Sequence, residues 1–119
     1  MSFWPVVKRV LDDSDMILLV KDARVPDLSK NEELEWKIRQ SGKEVIEVFN
    51  KCDLISKTER ALLEKMFPSG VYVAATEKKG INPLRNLLMD RAAKLEHREL
   101  KVGVVGYPNM GKSALINAL

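Results

Sequence analysis

The stretch KVGVVGYPNMGKSALINAL, residues 101–119, decides how the rest of the chain is read. It opens on a β-branched run and passes straight into Gly106-Tyr107-Pro108-Asn109-Met110-Gly111-Lys112-Ser113, which fits the phosphate-loop pattern G-x-x-x-x-G-K-[ST]. That pattern carries weight where a strand precedes it and a helix follows, and the flanking sequence predicts both. Gly106 and Gly111 permit a tight turn and a close backbone approach to phosphate oxygens, with no Cβ in the way. Backbone amides of Asn109, Met110, Gly111, Lys112 and Ser113 then point at phosphate from a helix N-terminus. Lys112 brings positive charge to the terminal phosphates, and the Ser113 hydroxyl is the Mg2+ ligand. The competing reading is an ordinary strand–turn–helix with an accidental Gly-Lys-Ser. Such a loop normally opens a nucleotide-binding domain, yet here only residues 114–119 follow it.

Three more apolar runs precede this one, at 16–20, 45–49 and 71–75, and the four begin about 30 residues apart, the length of a βαβ unit. They are nearly continuous rather than alternating, as strands buried on both faces of a parallel sheet are. Helical patterns fill the intervals. One covers about 4–11. A second covers 29–40, with Ser29 and Glu32 as a capping pair and a stop at Gly42. Ser56 and Glu59 form another capping box, leading into a helix that ends before Pro68. Pro83 marks a first turn, with Leu84, Leu87, Leu88, Ala92 and Leu95 on one face of the helix that follows. The class is α/β, with helices layered on a parallel sheet, and its ligands are expected beyond the carboxyl ends of the strands.

Composition agrees with one globular domain and a modest core: 119 residues, 45% hydrophobic and 31% charged. No apolar run approaches the ~20 residues of a membrane span, and the first residues mix charge with apolar side chains without a signal-peptide core. A net charge of +3 is mild and permits nucleic-acid contact without arguing for it. The single cysteine, Cys52, leaves no internal disulfide and fits a reducing, cytoplasmic setting.

The carboxyl ends of the runs hold the remaining candidates. After the second stand Asn50-Lys51-Cys52-Asp53, the pattern N-K-x-D. Asp53 can accept from the ring N–H and the exocyclic amine of guanine together, a contact adenine cannot return. Leaving a buried acceptor unpaired would reject ATP. The stem of Lys51 can cover one face of the base, and Asn50 can tie this loop to the phosphate loop. By itself the tetrapeptide is weak, and the competing reading is a helix N-cap by Asp53; its place at a strand end beside a phosphate loop favours the base-reading role. After the third run come Ala74-Ala75-Thr76, where a backbone N–H at Ala75 is positioned to read guanine O6. After the first come Asp22-Ala23-Arg24, either a solvated loop with internal pairing to Asp22 or Asp27, or a loop whose Arg24 reaches phosphate or an RNA backbone. His97 reads as a surface residue. Trp4 and Trp36 read as packing residues rather than a stacking platform for nucleic acid.

The motif order, with both base-reading boxes before the phosphate loop, inverts that of ordinary small GTPases. Together with Asp22-Ala23-Arg24, Asn50-Lys51-Cys52-Asp53-Leu54 and the loop from Gly106 to Ser113, it resembles the circularly permuted GTPases of the ribosome-assembly class. Within that class it is most similar to the branch typified by bacterial ribosome biogenesis GTPase A and the nucleostemin-like proteins, and the resemblance covers essentially the whole chain. It implies a parallel-sheet, three-layer P-loop GTPase fold in permuted and incomplete form, with about four strands in the order 4-1-2-3. The phosphate-loop strand would lie at an unpaired edge, open to self-association. Residues 1–119 would be the N-terminal part of a G domain, lacking switch I and the D-x-x-G box. No catalytic residue is then expected in it, nor appreciable hydrolysis by the fragment alone. The final helix, from Lys112, would lack both a cap and a partner for its apolar side. The implied ligands are GTP or GDP with Mg2+ on Ser113 and K+ on Asn109. The implied partners are the ribosomal subunit or rRNA, with no membrane. A second reading is a nucleotide-regulated RNA- or ribosome-binding module with little turnover. A third, an ATP-using P-loop kinase, is disfavoured by Asn50 and Asp53.

Overall fold

The computed structural model of the protein describes residues 4–25, 32–96, 98–106 and 111–119. Strand β1 (Met16–Asp22) is buried at every position, which is why its sequence runs apolar without alternation. It pairs in parallel with β2 (Glu44–Asn50) on one side and β4 (Val102–Gly106) on the other. Beyond β2 lies β3 (Val71–Tyr72), also parallel. The order β3-β2-β1-β4 is the expected one read from the opposite edge. Among the described residues β4 pairs with β1 alone, so the strand leading to the phosphate loop is an edge.

The pleat sorts the helices into two layers. Ile17 and Leu19 face Val7 and Leu11 of α1 (Trp4–Asp13) and Leu34 and Ile38 of α2 (Glu32–Gln40). On the same side Phe49, paired with Lys21, packs against Leu63 of α3 (Lys57–Met66). Met16, Leu18 and Val20 face the other way. They meet Ile81 and Leu84 of α4 (Ile81–Ala93) and Leu115 of α5 (Lys112–Ala118). The cap of α3 is Ser56, not Asp53. Ser56 Oγ accepts from the Glu59 amide, and the Glu59 carboxylate accepts from the Ser56 amide, both at 3.1 Å. The expected cap at Ser29, the side chain of Trp4 and His97 lie outside the described residues.

Four expectations need correction. The third strand is two residues long: Val73 still bonds the β2 chain, its amide donating to the Phe49 carbonyl and its carbonyl accepting from the Cys52 amide, and the chain then turns through a short 3-10 helix, Ala75–Glu77. An antiparallel bridge between Ala74 and Lys79 closes that turn. Helix α4 stops at Ala93 rather than running on past Leu95. The chain is drawn back to the sheet by Asp15, which accepts from Arg98 Nη1 at 2.7 Å and the Lys101 amide at 2.9 Å. Trp36 is not a core residue but 62% exposed. Helix α2 buries Leu34, Glu35 and Ile38, and at 100° per residue position 36 falls on the opposite side. Glu35 is buried because Lys21 of β1, itself buried, reaches both Glu35 and Glu47, at 3.3 and 3.0 Å. Finally, α5 has a partner for its apolar side and a side-chain bond at its C-terminus, while its N-terminus has no side-chain cap, as expected. Leu115 is fully buried in the core with Ala114 and Ala118 against it, and Arg85 Nη2 donates to the Ala118 carbonyl at 2.8 Å.

Candidate nucleotide-binding site

Three loops beyond the carboxyl ends of the sheet are joined by one residue. Asn50, the last residue of β2, is buried. Its Oδ1 accepts from the Ala75 amide at 3.0 Å, and its Nδ2 donates to the Gly111 carbonyl at 3.4 Å. Its own carbonyl accepts from the Ala23 amide at 2.8 Å. The loops after β1, β3 and β4 are thus all tied to Asn50, and the contact expected between Asn50 and the phosphate loop is made. Gly111 is required there: its φ is +79°, and a Cβ would overlap Asn50 Nδ2.

Lys51 follows in a left-handed conformation, φ 67°, at a cost of about 1 kcal/mol for a residue with a Cβ. This turn feeds the one-turn 3-10 helix Cys52–Leu54, which carries Asp53. Asp53 is exposed, not the buried acceptor expected. Selectivity through an unpaired carboxylate therefore needs the base itself to cover Asp53. Cys52 fills the free position of the box as a packing residue. Burial pushes its thiol pKa up, and its Sγ lies 3.2 Å from the Phe49 carbonyl. Ala75 is buried with its amide already engaged by Asn50, so a contact to guanine O6 must share that N–H.

Of the two readings of Asp22-Ala23-Arg24, the internal pairing is the one made, but in a buried setting rather than a solvated one. The Asp22 side chain is only 2% exposed. Its carboxylate accepts from the Arg24 amide at 2.9 Å, from Nε at 3.0 Å and from Nη2 at 2.7 Å. These bonds from Arg24, first of all the guanidinium, hold the Asp22 pKa below the usual carboxylate value against the opposing effect of burial. Lys51 Nζ stands 3.5 Å from Asp22 Oδ2. Sequence reasoning ranked this triplet as open. The signal it could have used is that β1 is buried along its whole length, so its last residue is buried too.

On the phosphate side, Lys112 and Ser113 open α5 and are exposed. The Lys112 stem passes over Gly106, where an added Cβ would lie 3.8 Å from its Cδ. Asn109 and Met110 lie outside the described residues. Among the described residues no three His, Cys, Asp or Glu side chains are grouped to hold a metal. A Mg2+ at the Ser113 hydroxyl would take its other ligands from phosphate and water, as Mg2+ commonly does. Also among the described residues, no helix is long and apolar enough to cross a membrane.

A parallel sheet with this strand order and a Gly-Lys-Ser loop opening a helix beyond its edge strand defines the P-loop nucleotide-binding class. Comparison with known proteins narrows it. Residues 101–119 match the family described as 50S ribosome-binding GTPase. The chain is 43% identical, over 96% of its length, to an uncharacterized GTP-binding protein of Methanocaldococcus jannaschii, of which it spans 31%. It is 36% identical, over 98% of its length, to nuclear/nucleolar GTPase 2 of Arabidopsis thaliana, spanning 22% of that protein. With a nuclear GTP-binding protein of Saccharomyces cerevisiae the identity is 37% over 96% of the chain and 26% of the relative. The crystal structure of YjeQ from Thermotoga maritima superposes with a TM-score of 0.63 at 21% identity, covering 89% of this chain and 38% of that one. The chain is thus similar in sequence to nucleolar GTPases, matches the 50S ribosome-binding GTPase family over residues 101–119, and shares the α/β fold seen in YjeQ. It spans less than a third of the length of the archaeal, plant and yeast relatives.

Proposed function

We propose that this chain binds GTP and GDP as part of a circularly permuted G domain, and that the protein it represents hydrolyses GTP while acting in ribosome assembly. The observation that carries the reading is Asn50, which joins the base-reading turn at Ala75 to the phosphate loop at Gly111. A base held at Asp53 and phosphates held at Gly111, Lys112 and Ser113 would then share one frame. In this reading Asp53 takes the guanine edge, Lys51 one ring face, and the Ala75 amide is shared between Asn50 and guanine O6. Asn109 and Met110 complete the phosphate loop, with K+ on Asn109 and Mg2+ on Ser113. The names of the relatives support guanine-nucleotide binding, and the description of the family matched by residues 101–119 supports a ribosomal partner. The free edge of β4 is where self-association would occur, and a lone buried thiol supports a cytoplasmic setting.

The test is titration of fluorescent GDP and GTP in Mg2+ and K+, with ATP as competitor. Guanine nucleotides should bind selectively. Asp53→Ala should cut the preference for GTP over ATP by about a hundredfold, and Lys112→Ala should weaken both guanine nucleotides by at least about tenfold. Equal binding of ATP and GTP by the unaltered chain would sink the reading. Tight, steeply salt-dependent binding of rRNA without nucleotide would instead favour an RNA-binding module with little turnover.

A further inference from the structure

We propose that Asp22 is a positioning residue of the base pocket, holding the Lys51 ammonium so that the lysine stem forms a fixed wall for the purine ring. The proposal rests on the nucleotide-binding reading above and adds a residue that none of the sequence motifs for base recognition contains.

A carboxylate as buried as Asp22 must have its desolvation met by partners. Arg24 meets much of it, but Arg24 is itself 46% exposed and pairs with a residue only two positions earlier. Such a local pair is equally well made on a solvated loop and does not account for the burial. The long-range contact is the one to Lys51, which arrives from the neighbouring strand end. The lysine stem also runs beside the phosphate loop, where a Cβ on Gly111 would lie 3.9 Å from its Cε. Its methylenes are thus held between the end of β1 and the phosphate loop, two residues before the exposed Asp53. The charges alternate around the corner: Asp22, then Arg24 and Lys51, then Asp53, whose negative charge also acts on Arg24.

A lysine left free at this place would lose rotamer freedom each time a base settled on it, whereas a tethered one has lost it already. The tether serves a different end from Asp53. Asp53 reads the guanine edge, so its loss changes which base is chosen. A stem lying over a ring face meets guanine and hypoxanthine alike, so loss of the tether weakens both equally.

The experiment is a double-mutant cycle on the chain, read by fluorescent GDP in Mg2+ with IDP as competitor. The variants are Asp22→Asn, Lys51→Met and the pair, with Asp53→Ala for reference and circular dichroism melts to confirm folding. Each single variant should weaken GDP, and the double should be no weaker than the worse single, a coupling of at least about threefold. Asp22→Asn should leave the GDP-to-IDP ratio at the unaltered value while Asp53→Ala lowers it, a separation that general loosening of the fold would not produce. Additive effects, or a GDP-to-IDP ratio altered by Asp22→Asn, would overturn the proposal. Should Asp22→Asn fail to fold, Lys51→Met decides, since it keeps a long apolar stem and removes the held ammonium. Unchanged GDP affinity then overturns the proposal, and a loss of about threefold or more, equal for IDP, supports it. If the unaltered chain prefers no guanine nucleotide, the parent reading falls first and this one with it.

Discussion

The two ends of the sheet are held together by different means. At the carboxyl end the work is done by buried single side chains: Asn50 joins the turn at Ala75 to the phosphate loop, and Asp22 gathers Arg24 and Lys51. At the amino end it is done by exposed ion pairs: Arg91 with Glu44 between α4 and β2, and Arg98 with Asp15 beside β1. Buried polar groups with fixed partners are costly to disturb, because whatever remains is left unpaired. Exposed pairs exchange their partner for water at little cost. The carboxyl end is therefore rigid and intolerant, as a ligand site requires, and the amino end is forgiving.

The comparison can be broken or sharpened by substitution. The largest expected effect is at the core beneath the phosphate loop. Leu115→Ala, removing a fully buried side chain, should cost about 3 kcal/mol in a urea unfolding curve. Asn50→Ala should follow at about 2 kcal/mol, because the buried Ala75 amide loses its acceptor, and nucleotide binding should go with it. Ser56→Ala, which removes the exposed capping box of α3, should cost about 1 kcal/mol and leave nucleotide binding intact. Arg91→Ala at the amino end should shift the urea midpoint least of all. If it destabilised the chain as much as Asn50→Ala, the contrast between the ends would be wrong.

A pH series isolates the other amino-end pair. Hydrogen bonds from Arg98 first, and then from the Lys101 amide, lower the Asp15 pKa from 3.8 to about 2. A carboxylate whose folded pKa is depressed contributes stability above its unfolded value and loses it as the pH falls through the folded one. The stability gap between the unaltered chain and Asp15→Asn should therefore be constant above pH 3.8 and close on the way down to about 2. A gap that persisted to the lowest pH would assign the role of Asp15 to shape rather than charge.

Much of the architecture was legible in the sequence because it follows from local regularities. Unbroken apolar runs mark strands buried on two faces, and Ser56 with Glu59 marks a helix start. What escaped was set by contacts between distant segments. Ala74 and Ala75 look like strand residues, but after Val73 the chain turns away, Ala74 bridging to Lys79 and Ala75 donating to Asn50. Residues beyond Ala93 look helical, but Asp15 draws Arg98 and Lys101 back to the sheet. Trp36 reads as a packing residue because no basic–aromatic interleaving surrounds it, although its angular position relative to Leu34 and Ile38 already turned it outward. At the site, motif spacing picked out Asn50, Lys51, Gly111 and Lys112, and the structure gathers them. The depth of Asp22 and the openness of Asp53 were not readable, since burial is a property of the assembled sheet.

The link from Asn50 to Gly111 spans 61 positions, while that to Ala75 spans 25. Closing the longer loop costs more chain entropy, and its reward arrives only when α5 has docked through Leu115. On a growing chain, the half of the corner built from β1, β2 and the turn at Ala75 can form while the phosphate loop has yet to be made. The molecule thus has a built-in chronology: the part that would choose the base matures first, and the part that would grip the phosphates closes over it last.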